Sequence, residues 1–499
     1  MRLRKWLDML VCMLCAGVFL LLLSKNSPLY PMNDWVDVQC FFTVGKGILN
    51  GIVPYRDLYE QKGPVLYFLF ALAALIDSHS FIGVYLLETA AVGAFLYFSL
   101  ELLRTFLGCS LWHYAALPVL AVGVCVSNAY THGGSVETLT LWVLAYALLA
   151  VLRAVRKDRL LRWQESFLIG VGAAWALYIK FTMVGFHLGL CLFVAIWYLG
   201  FEKKPVELLK TIGHFLGGMA AVTAPVLAYF ACHGAVEDFF TAYFYNNLFL
   251  YPTESTDRWA MIQSCLRSAL QYNMAWSIWV ILGLVWSLLR LLRRSRESLA
   301  VLLTFIGLTV GTYWGGRGYG YYALILAGFA PLGLVALAGL LRWDILQVTR
   351  RRSPWGLQLM GVALCVVVCL QVGYKEGNST YLLGEKRENM PPYKFAEVIN
   401  KEENPTLLNY GFLDGGFYYA ADVLPTSRFF CTLNIPLEEM GQEHRQMIKE
   451  GKFDFVVTRR YPLMAYGVGT NYTEVDTATY YFEGVEFTYY LYQRTDLLE

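Results

Sequence analysis

The chain has 499 residues, of which 57% are hydrophobic and only 16% charged, and its formal net charge is +2. Because about a quarter of the residues in a soluble domain are charged, this composition excludes an ordinary soluble protein. A net charge so close to zero also provides no long-range attraction for nucleic acid. The apolar residues come in blocks of about 18–22, the length with which a helix crosses a hydrocarbon core of about 30 Å. The sequence therefore predicts an α-helical polytopic membrane protein.

Eleven transmembrane helices are predicted along the chain. The first follows Arg2, Arg4 and Lys5, and since no small-residue cleavage site ends it, we interpret it as an uncleaved signal anchor. The fifth and sixth are short and meet at Lys180–Thr182, so the sequence leaves open whether each crosses the bilayer fully. The predicted spans lie near residues 6–24, 80–103, 113–128, 137–153, 166–180, 182–200, 211–231, 273–290, 298–314, 321–341 and 356–373.

Lysine and arginine residues are concentrated in alternate connections between these spans. Since such residues collect in cytoplasmic loops, the pattern predicts a cytoplasmic N-terminus and an extracytoplasmic C-terminus. The predicted cytoplasmic cations are Arg2, Arg4, Lys5, Arg104, Arg153, Arg156, Lys157, Arg159, Arg162, Lys203, Lys204, Lys210, Arg290, Arg293, Arg294, Arg296, Arg342, Arg350, Arg351 and Arg352.

Three predicted outer stretches are too long to be turns: residues 29–77, residues 233–271 and the tail from residue 374. Within the first, residues 64–76 are apolar but form a run of only about 13, too short to span the bilayer upright, which indicates a helix lying at the interface. We therefore predict a transmembrane domain over residues 1–373, with an outer loop at 29–79, and a soluble extracytoplasmic domain over residues 374–499.

The tail has the pattern of a small α/β domain. Apolar periodicity indicates helices over residues 392–400 and 436–449 and strands over residues 406–410 and 454–458. Two alternating aromatic runs, 477–482 and 485–492, flank Glu483-Gly484 and indicate a β-hairpin.

Most of the eleven cysteines lie inside apolar blocks, where they are typical small core residues. Cys40 and Cys431 instead fall in predicted outer segments. The sequence alone gives no ground for pairing them, because connectivity does not follow from spacing.

The first outer loop carries four carboxylates, on Asp34, Asp37, Asp57 and Glu60. Two cations, Arg56 and Lys62, accompany them beside the predicted interfacial helix. A carboxylate can take a proton from an attacking hydroxyl, and lysine or arginine can bind phosphate oxygens. For any one of these acids, a solvated loop position is an equally open interpretation.

A further acid, Glu137, lies at the start of the fourth predicted span, after Ser135. One interpretation is helix capping by Ser135 with an acid that the helix dipole favours. The other is that Glu137 orients an acceptor or a metal ion. His132 in the same turn is a weaker candidate for sugar binding and fits an ordinary loop residue better.

The remaining candidates are cations and aromatic residues at predicted outer turns. Lys180 stands in apolar sequence at the end of the fifth span, where a charge is costly and suggests a functional partner, although it could also snorkel to the headgroups. Arg317, with Tyr319 and Tyr322, would suit a lipid phosphate with a sugar stacked beside it, or an interfacial aromatic belt. Arg258, near an aromatic stretch, is a weaker candidate of the same kind.

Three motifs follow one another in the first outer loop: Asp37-x-x-x-Phe41, Gly51-x-x-Pro54-Tyr55-x-Asp57 and Glu60-x-Lys62-Gly63-Pro64. With the Ser135–Thr138 acid motif, Lys180 and the Gly316-Arg317 turn, they resemble bacterial integral-membrane glycosyltransferases of the C-type superfamily (GT-C). The resemblance covers roughly residues 30–340 and is nearest to the branch of protein O-mannosyltransferases and of the lipid A aminoarabinose transferase.

The resemblance implies an inverting transfer of a sugar from a polyprenyl-phosphate donor to a cell-envelope glycan, lipid or protein acceptor at the outer face of a bacterial membrane. It implies that Asp37 is the base with Asp34 in reserve, and that Glu137 helps to hold the acceptor or a divalent cation, Mg²⁺ or Mn²⁺. Arg56, Lys62, Lys180, Arg258 and Arg317 are the candidate phosphate ligands; Asp57, Glu60, His132, Tyr319 and Tyr322 are the candidate sugar or acceptor ligands. Asp37 is followed by Val38 instead of the second acid that many members have, which leaves the identity of the base open.

Two other classes of protein remain open on the sequence. A transporter or flippase of lipid-linked sugars would explain Lys180 and the many spans, but it predicts repeated halves with broken helices, and no such repeat occurs. A membrane scaffold for a cell-envelope complex is the other class.

Overall fold

The computed structural model describes residues 2–251, 257–340, 354–482 and 484–498. The described chain is mostly helical and carries one four-stranded sheet near its C-terminus. A helix lies at each predicted span: Arg2–Leu23, Ile82–Leu107, Ala116–Cys125, Leu141–Arg156, Trp163–Ile179, Gly185–Ile196, Pro205–Cys232, Met274–Leu291, Arg296–Tyr313, Ala330–Leu340 and Trp355–Glu376.

Eight helical segments of the described residues are long and apolar enough to cross a membrane. The third predicted span contains an α-helix of only 10 residues, and the fifth has 17, so the predicted count of eleven spans is not confirmed. The sixth predicted span is longer than expected, because irregular turns extend its helix to Phe181–Phe201. Arg342, Arg350, Arg351 and Arg352 lie outside the described residues, and the orientation of the termini stays a prediction.

The chain divides into two compact units. Unit 1 comprises residues 1–27, 85–226 and 253–381, and unit 2 comprises residues 28–84, 227–252 and 382–499. The first outer loop and the tail therefore belong to the same unit, although several hundred residues separate them in sequence. The sequence-based boundary at residue 374 stays a prediction.

In unit 1, glycines allow close packing between Gly185–Ile196 and Arg296–Tyr313. A Cβ atom on Gly185 would collide with the carbonyl of Gly307, and one on Gly189 would collide with the carbonyl of Leu303. Helices in a bilayer gain little from apolar burial against each other, so such close backbone approach is a main source of their packing energy.

In unit 2, the first outer loop contains two helices, Val36–Leu49 and Pro64–Ile76. The second was predicted and its bounds are confirmed; its position at the interface stays a prediction. The first, which we call the first-loop helix, was not predicted. Gly45 brings it against Pro64–Ile76, because a Cβ atom there would collide with the backbone of Phe70 and Ala71. The helical stretch Phe240–Leu250 belongs to the same unit.

The tail forms the α/β domain that the sequence predicts. Its strands are β1 (Leu407–Tyr410), β2 (Phe455–Arg459), β3 (Tyr472–Phe482) and β4 (Val485–Arg494), in the sheet order β1-β2-β4-β3. β1 and β2 are parallel, and the other neighbours are antiparallel. Helices Pro391–Ile399, Phe417–Ala421 and Glu438–Lys449 accompany the sheet. The predicted hairpin is present, with Glu483 itself outside the described residues.

Candidate functional site

Asp37 and Lys62 come together in unit 2. Asp37 lies in the first turn of the first-loop helix, and the Lys62 Nζ atom is 3.7 Å from an Asp37 carboxylate oxygen. Both side chains are nearly buried, with exposed fractions of 12% and 11%. The Lys62 ammonium also lies 5.5 Å from the centre of the Phe41 ring. The structure thus joins the two residues that the first-loop motifs single out most clearly, a carboxylate and a cation.

The backbone around Lys62 is fixed by buried polar contacts. The Lys62 N–H donates to Glu60 at 2.8 Å, and the Tyr67 hydroxyl donates to the same Glu60 carboxylate. The Tyr55 hydroxyl donates to the Lys62 carbonyl at 2.7 Å, and Asn247 donates to the carbonyl of Gln61. Glu60 is only 3% exposed. Its carboxylate therefore orients the lysine loop, and its predicted role as a sugar ligand stays a prediction.

Arg56 and Asp57 form an exposed pair next to this loop. The Arg56 guanidinium donates to both Asp57 oxygens, at 2.7 and 2.9 Å. Together with the Val53 N–H, which also donates to Asp57, it holds the pKa of that carboxyl below its usual value against the opposing effect of burial. Arg56 also donates to the carbonyl of His233. Asp57 is thus a constitutively charged group that closes a turn.

Asp34, the reserve base, meets the tail. The Tyr480 hydroxyl on β3 donates to an Asp34 oxygen at 2.9 Å, and Asp34 is 6% exposed. The contact places Asp34 in a small cleft that Met390, Pro391 and Tyr489 also line.

The tail holds the first-loop helix along one face. Thr43 donates to Asp414 at 2.6 Å, and Lys46 pairs with Asp422. Residues three positions apart on a helix lie on the same face, so these contacts continue the face that carries Cys40. We call these contacts the seam. Because Asp37 lies in the first turn of the same helix, the tail domain determines where Asp37 stands in unit 2.

Asp414 is the buried acid of the seam. It accepts hydrogen bonds from Thr43, from the Gly416 N–H at 2.8 Å and from Asn409 at 3.2 Å. Burial raises the pKa of its carboxyl to about 6, although these hydrogen bonds act in the opposite direction. The protonated form is therefore favoured by folding.

We expect the pH dependence of stability to change in Asp414→Asn. With a folded-state pKa near 6 and an ordinary value of 3.8, the stabilisation from Asp414 is complete below about pH 4 and is lost as the pH rises through 6. Two pKa units correspond to about 3 kcal/mol. The melting temperature of the purified wild type should therefore fall between pH 4 and pH 8. The melting temperature of Asp414→Asn should fall less over the same range. Parallel curves would contradict the assignment.

Glu137 and Lys180 form a buried ion pair in unit 1. The Lys180 Nζ atom lies 2.7 Å from one Glu137 oxygen, and the side chains are 8% and 0% exposed. Among the described residues the second Glu137 oxygen has no hydrogen-bond partner, an uncommon condition for a buried carboxylate. The capping interpretation is correct for Ser135, whose hydroxyl accepts from the Thr138 N–H at 3.1 Å. Glu137 is instead the buried ion-pair partner of Lys180, and a charged residue in an apolar segment requires such a partner.

Aromatic residues connect this pair to Arg317. The Lys180 ammonium lies 3.0 Å from the centre of the Tyr322 ring and 5.5 Å from that of Tyr321. The Tyr319 ring packs edge-on against Tyr322 at 5.4 Å, and the Arg317 guanidinium lies 5.9 Å from the Tyr319 ring. The structure therefore gathers Glu137, Lys180, Tyr319, Tyr322 and Arg317 into one group, the lysine cluster. Arg258 joins the turn before it by donating to the Trp314 carbonyl.

Glu88, which the sequence analysis missed, organises the turn that leads to Glu137. Its carboxylate is fully buried and accepts from Ser24 at 2.7 Å, Asn26 at 3.2 Å, Tyr130 at 2.8 Å and the Gly134 N–H at 2.9 Å. An acid inside an apolar span is itself a functional signal, so a residue-by-residue inspection of the second span could have found it.

Lys25 and His132 lie beside the same turn. Lys25 is 2% exposed, its N–H donates to the His132 carbonyl at 3.0 Å, and its ammonium lies 5.7 Å from the Tyr381 ring. The sequence analysis also missed Lys25, because it directly follows the first apolar block and looks like a flanking cation. His132 is buried, at 5% exposure.

The divalent cation that the resemblance implies would need a group of metal-binding side chains. Among the described residues, no three or more His, Cys, Asp and Glu side chains form a group that could hold a metal ion. Glu137, whose second carboxylate oxygen has no hydrogen-bond partner within the described part of the chain, already pairs with Lys180. This donor set does not fit a metal centre, and we derive no step through one.

Comparison with solved structures shows that the chain has the fold of ArnT, a GT-C membrane glycosyltransferase. With the eight apolar helices among the described residues, this fold indicates a multi-pass membrane protein. ArnT from Cupriavidus metallidurans bound to undecaprenyl phosphate aligns over 97% of both chains, with a TM-score of 0.60 and 12% sequence identity. The apo state of that protein aligns over 98% of both chains with a TM-score of 0.59. An oligosaccharyltransferase from Archaeoglobus fulgidus aligns over 91% of this chain and 70% of its own, at a TM-score of 0.48.

The GT-C resemblance inferred from the first outer loop is therefore confirmed at the level of the fold. ArnT is the lipid A aminoarabinose transferase, the relative that the motifs indicated. No protein-family model and no curated protein sequence matches this chain.

Proposed function

We propose that this protein is a glycosyltransferase that moves a sugar from a polyprenyl-phosphate donor to an acceptor at the outer face of the membrane. The observation that carries the proposal is the alignment over 97% of both chains with ArnT bound to undecaprenyl phosphate. At 12% identity that likeness concerns the fold, so the chemistry has to come from this chain's own residues.

Asp37 is the proposed base. A hydroxyl on the acceptor, losing its proton toward Asp37, would attack the anomeric carbon of the sugar while the bond to the lipid phosphate breaks on the opposite face. The Lys62 ammonium lies 3.7 Å from Asp37, on a loop fixed by Glu60 and Tyr55, and is the proposed ligand of a donor phosphate oxygen. A carboxylate so placed typically contributes a rate factor of about 10²–10⁴.

The lysine cluster of unit 1 is the proposed binding site for the donor phosphate and its sugar. Arg317 and Lys180 supply positive charge, and Tyr319 and Tyr322 supply flat faces on which a sugar ring can stack. The unpaired oxygen of Glu137 is an acceptor for a sugar or acceptor hydroxyl. Positive groups that are already in place where negative charge develops on the leaving phosphate are usually the largest single contribution to catalysis.

The test is an assay of purified protein against a panel of polyprenyl-phosphate sugars, with an extract of cell-envelope lipids and glycans as the acceptor pool. We expect one donor to be consumed, with release of its polyprenyl phosphate measured by mass spectrometry. If no donor on the panel is consumed by a protein that is folded by its melting profile, the proposal is wrong for this donor class.

A further inference from the structure

Cys40 and Cys431 meet inside unit 2. They are 391 positions apart in sequence, yet their Sγ atoms lie 3.9 Å from each other. Cys40 is 1% exposed and Cys431 is fully buried. The sequence could not pair them, since neither stands in a recognisable spacing with the other.

Both sulfur atoms are held in place by their neighbours. Cys40 lies on the seam face of the first-loop helix, one turn before Thr43 and its 2.6 Å hydrogen bond to Asp414. On the other side, the Phe430 carbonyl accepts from the Tyr418 hydroxyl at 2.7 Å, and the Thr432 N–H donates to the Phe412 carbonyl at 2.9 Å. Bringing the two ends of so long a loop together is the main entropic cost of closing it. The fold of unit 2 already brings the two thiols together.

We propose that Cys40 and Cys431 form a disulfide bond that ties the first-loop helix to the tail domain. The inference goes beyond sugar transfer. It rests on the 3.9 Å distance between the sulfur atoms and on the predicted outer location of both segments, where oxidising conditions allow disulfides to persist. An S–S bond is about 2.05 Å long, so the two sulfur atoms approach each other by about 2 Å when the bond forms.

The oxidant is a disulfide of an exported thiol oxidoreductase or of glutathione. One cysteine thiolate attacks a sulfur of that disulfide, and the second cysteine thiolate then attacks the mixed disulfide. The S–S bond between Cys40 and Cys431 forms, the S–S bond of the oxidant breaks, and two electrons and two protons leave with the reduced oxidant. Burial raises the pKa of both thiols in the folded protein, which disfavours the reactive thiolate. The exchange therefore takes place during folding, before the seam closes over the two cysteines.

The test is a peptide map of the full-length protein. Trypsin releases Cys40 in the peptide 26–46 and Cys431 in the peptide 429–445, each with a single cysteine. The protein is produced in a host with an exported thiol-oxidising system and in a matched strain without it, alkylated under denaturing conditions and digested without reductant. We expect the linked peptide pair in the first host and two alkylated peptides in the second.

Two alkylated peptides from the oxidising host, when a reporter disulfide protein exported in the same cells is oxidised, would overturn the proposal. A disulfide of either cysteine with a different partner would overturn it as well. As an independent readout, reduction should lower the melting temperature of the oxidised wild type by about 5 °C and leave that of Cys431→Ala unchanged. None of these measurements depends on sugar transfer, so they stand whether or not the proposed enzyme activity is found.

Discussion

Asp37→Asn is expected to reduce sugar transfer by about 10²–10⁴-fold, the contribution of a well-placed general base. The change keeps the size of the side chain and removes its ability to take the acceptor proton. Because the proton is transferred only in the transition state, we expect the loss to appear in kcat, with the KM for the donor changed little. The measurement is steady-state release of polyprenyl phosphate by purified protein.

Asp422→Asn is the matched control for this variant. Asp422 pairs with Lys46 on the same first-loop helix and is about half exposed, at 51%, so its loss removes a carboxylate that contacts the helix without touching the proposed site. Ion pairs of this exposure contribute only about 0–1 kcal/mol, and transfer should stay within a factor of about three. Equal losses in both variants would mean that Asp37 acts through the helix and is not the base.

The second large effect is expected at Lys180. In Lys180→Met the Glu137 carboxylate is left buried without its cation, which typically costs about 3–5 kcal/mol of stability. We therefore expect a clear drop in melting temperature together with loss of transfer. The double variant Lys180→Met with Glu137→Gln should recover most of the stability, because no uncompensated charge remains.

Transfer in that double variant separates two roles of the pair. If Lys180 and Glu137 bind the donor phosphate and an acceptor or sugar hydroxyl, the stable double variant keeps only a small residual transfer activity, with a raised KM for the donor. If the pair only holds the fold together, restored stability brings restored transfer, and the role proposed for the lysine cluster is wrong.

The sequence predicts the helices well because length and hydropathy are local properties. The helix at residues 64–76 and the strands of the tail were found by their periodicity, although β3 begins at Tyr472 and not at the predicted residue 477. The first-loop helix was missed, since Asp37, Gln39 and Lys46 interrupt its apolar pattern. One part of its buried surface packs against Pro64–Ile76, and another part contacts the tail, nearly 400 residues away. No local pattern encodes such a distant partner.

The sequence analysis named the candidate residues one by one, but it could not predict which of them pair. Apolar surroundings pointed to Lys180, yet its partner Glu137 is 43 positions distant and had an equally good explanation as a capping residue. Glu88 was overlooked because the mean hydropathy of the second span is high despite this acidic residue. Lys62 was selected for phosphate binding, while its contact with Asp37 depends on a turn fixed by Glu60 and Tyr67, which only the fold reveals.

The most direct test of sugar transfer uses the protein in proteoliposomes with a polyprenyl-phosphate sugar labelled in the sugar. The account predicts that the wild type produces free polyprenyl phosphate and labelled acceptor in equal amounts, and that Asp37→Asn produces almost none of either. If instead the intact labelled donor crosses the bilayer without any release of lipid phosphate, the protein is a flippase and the glycosyltransferase account is contradicted.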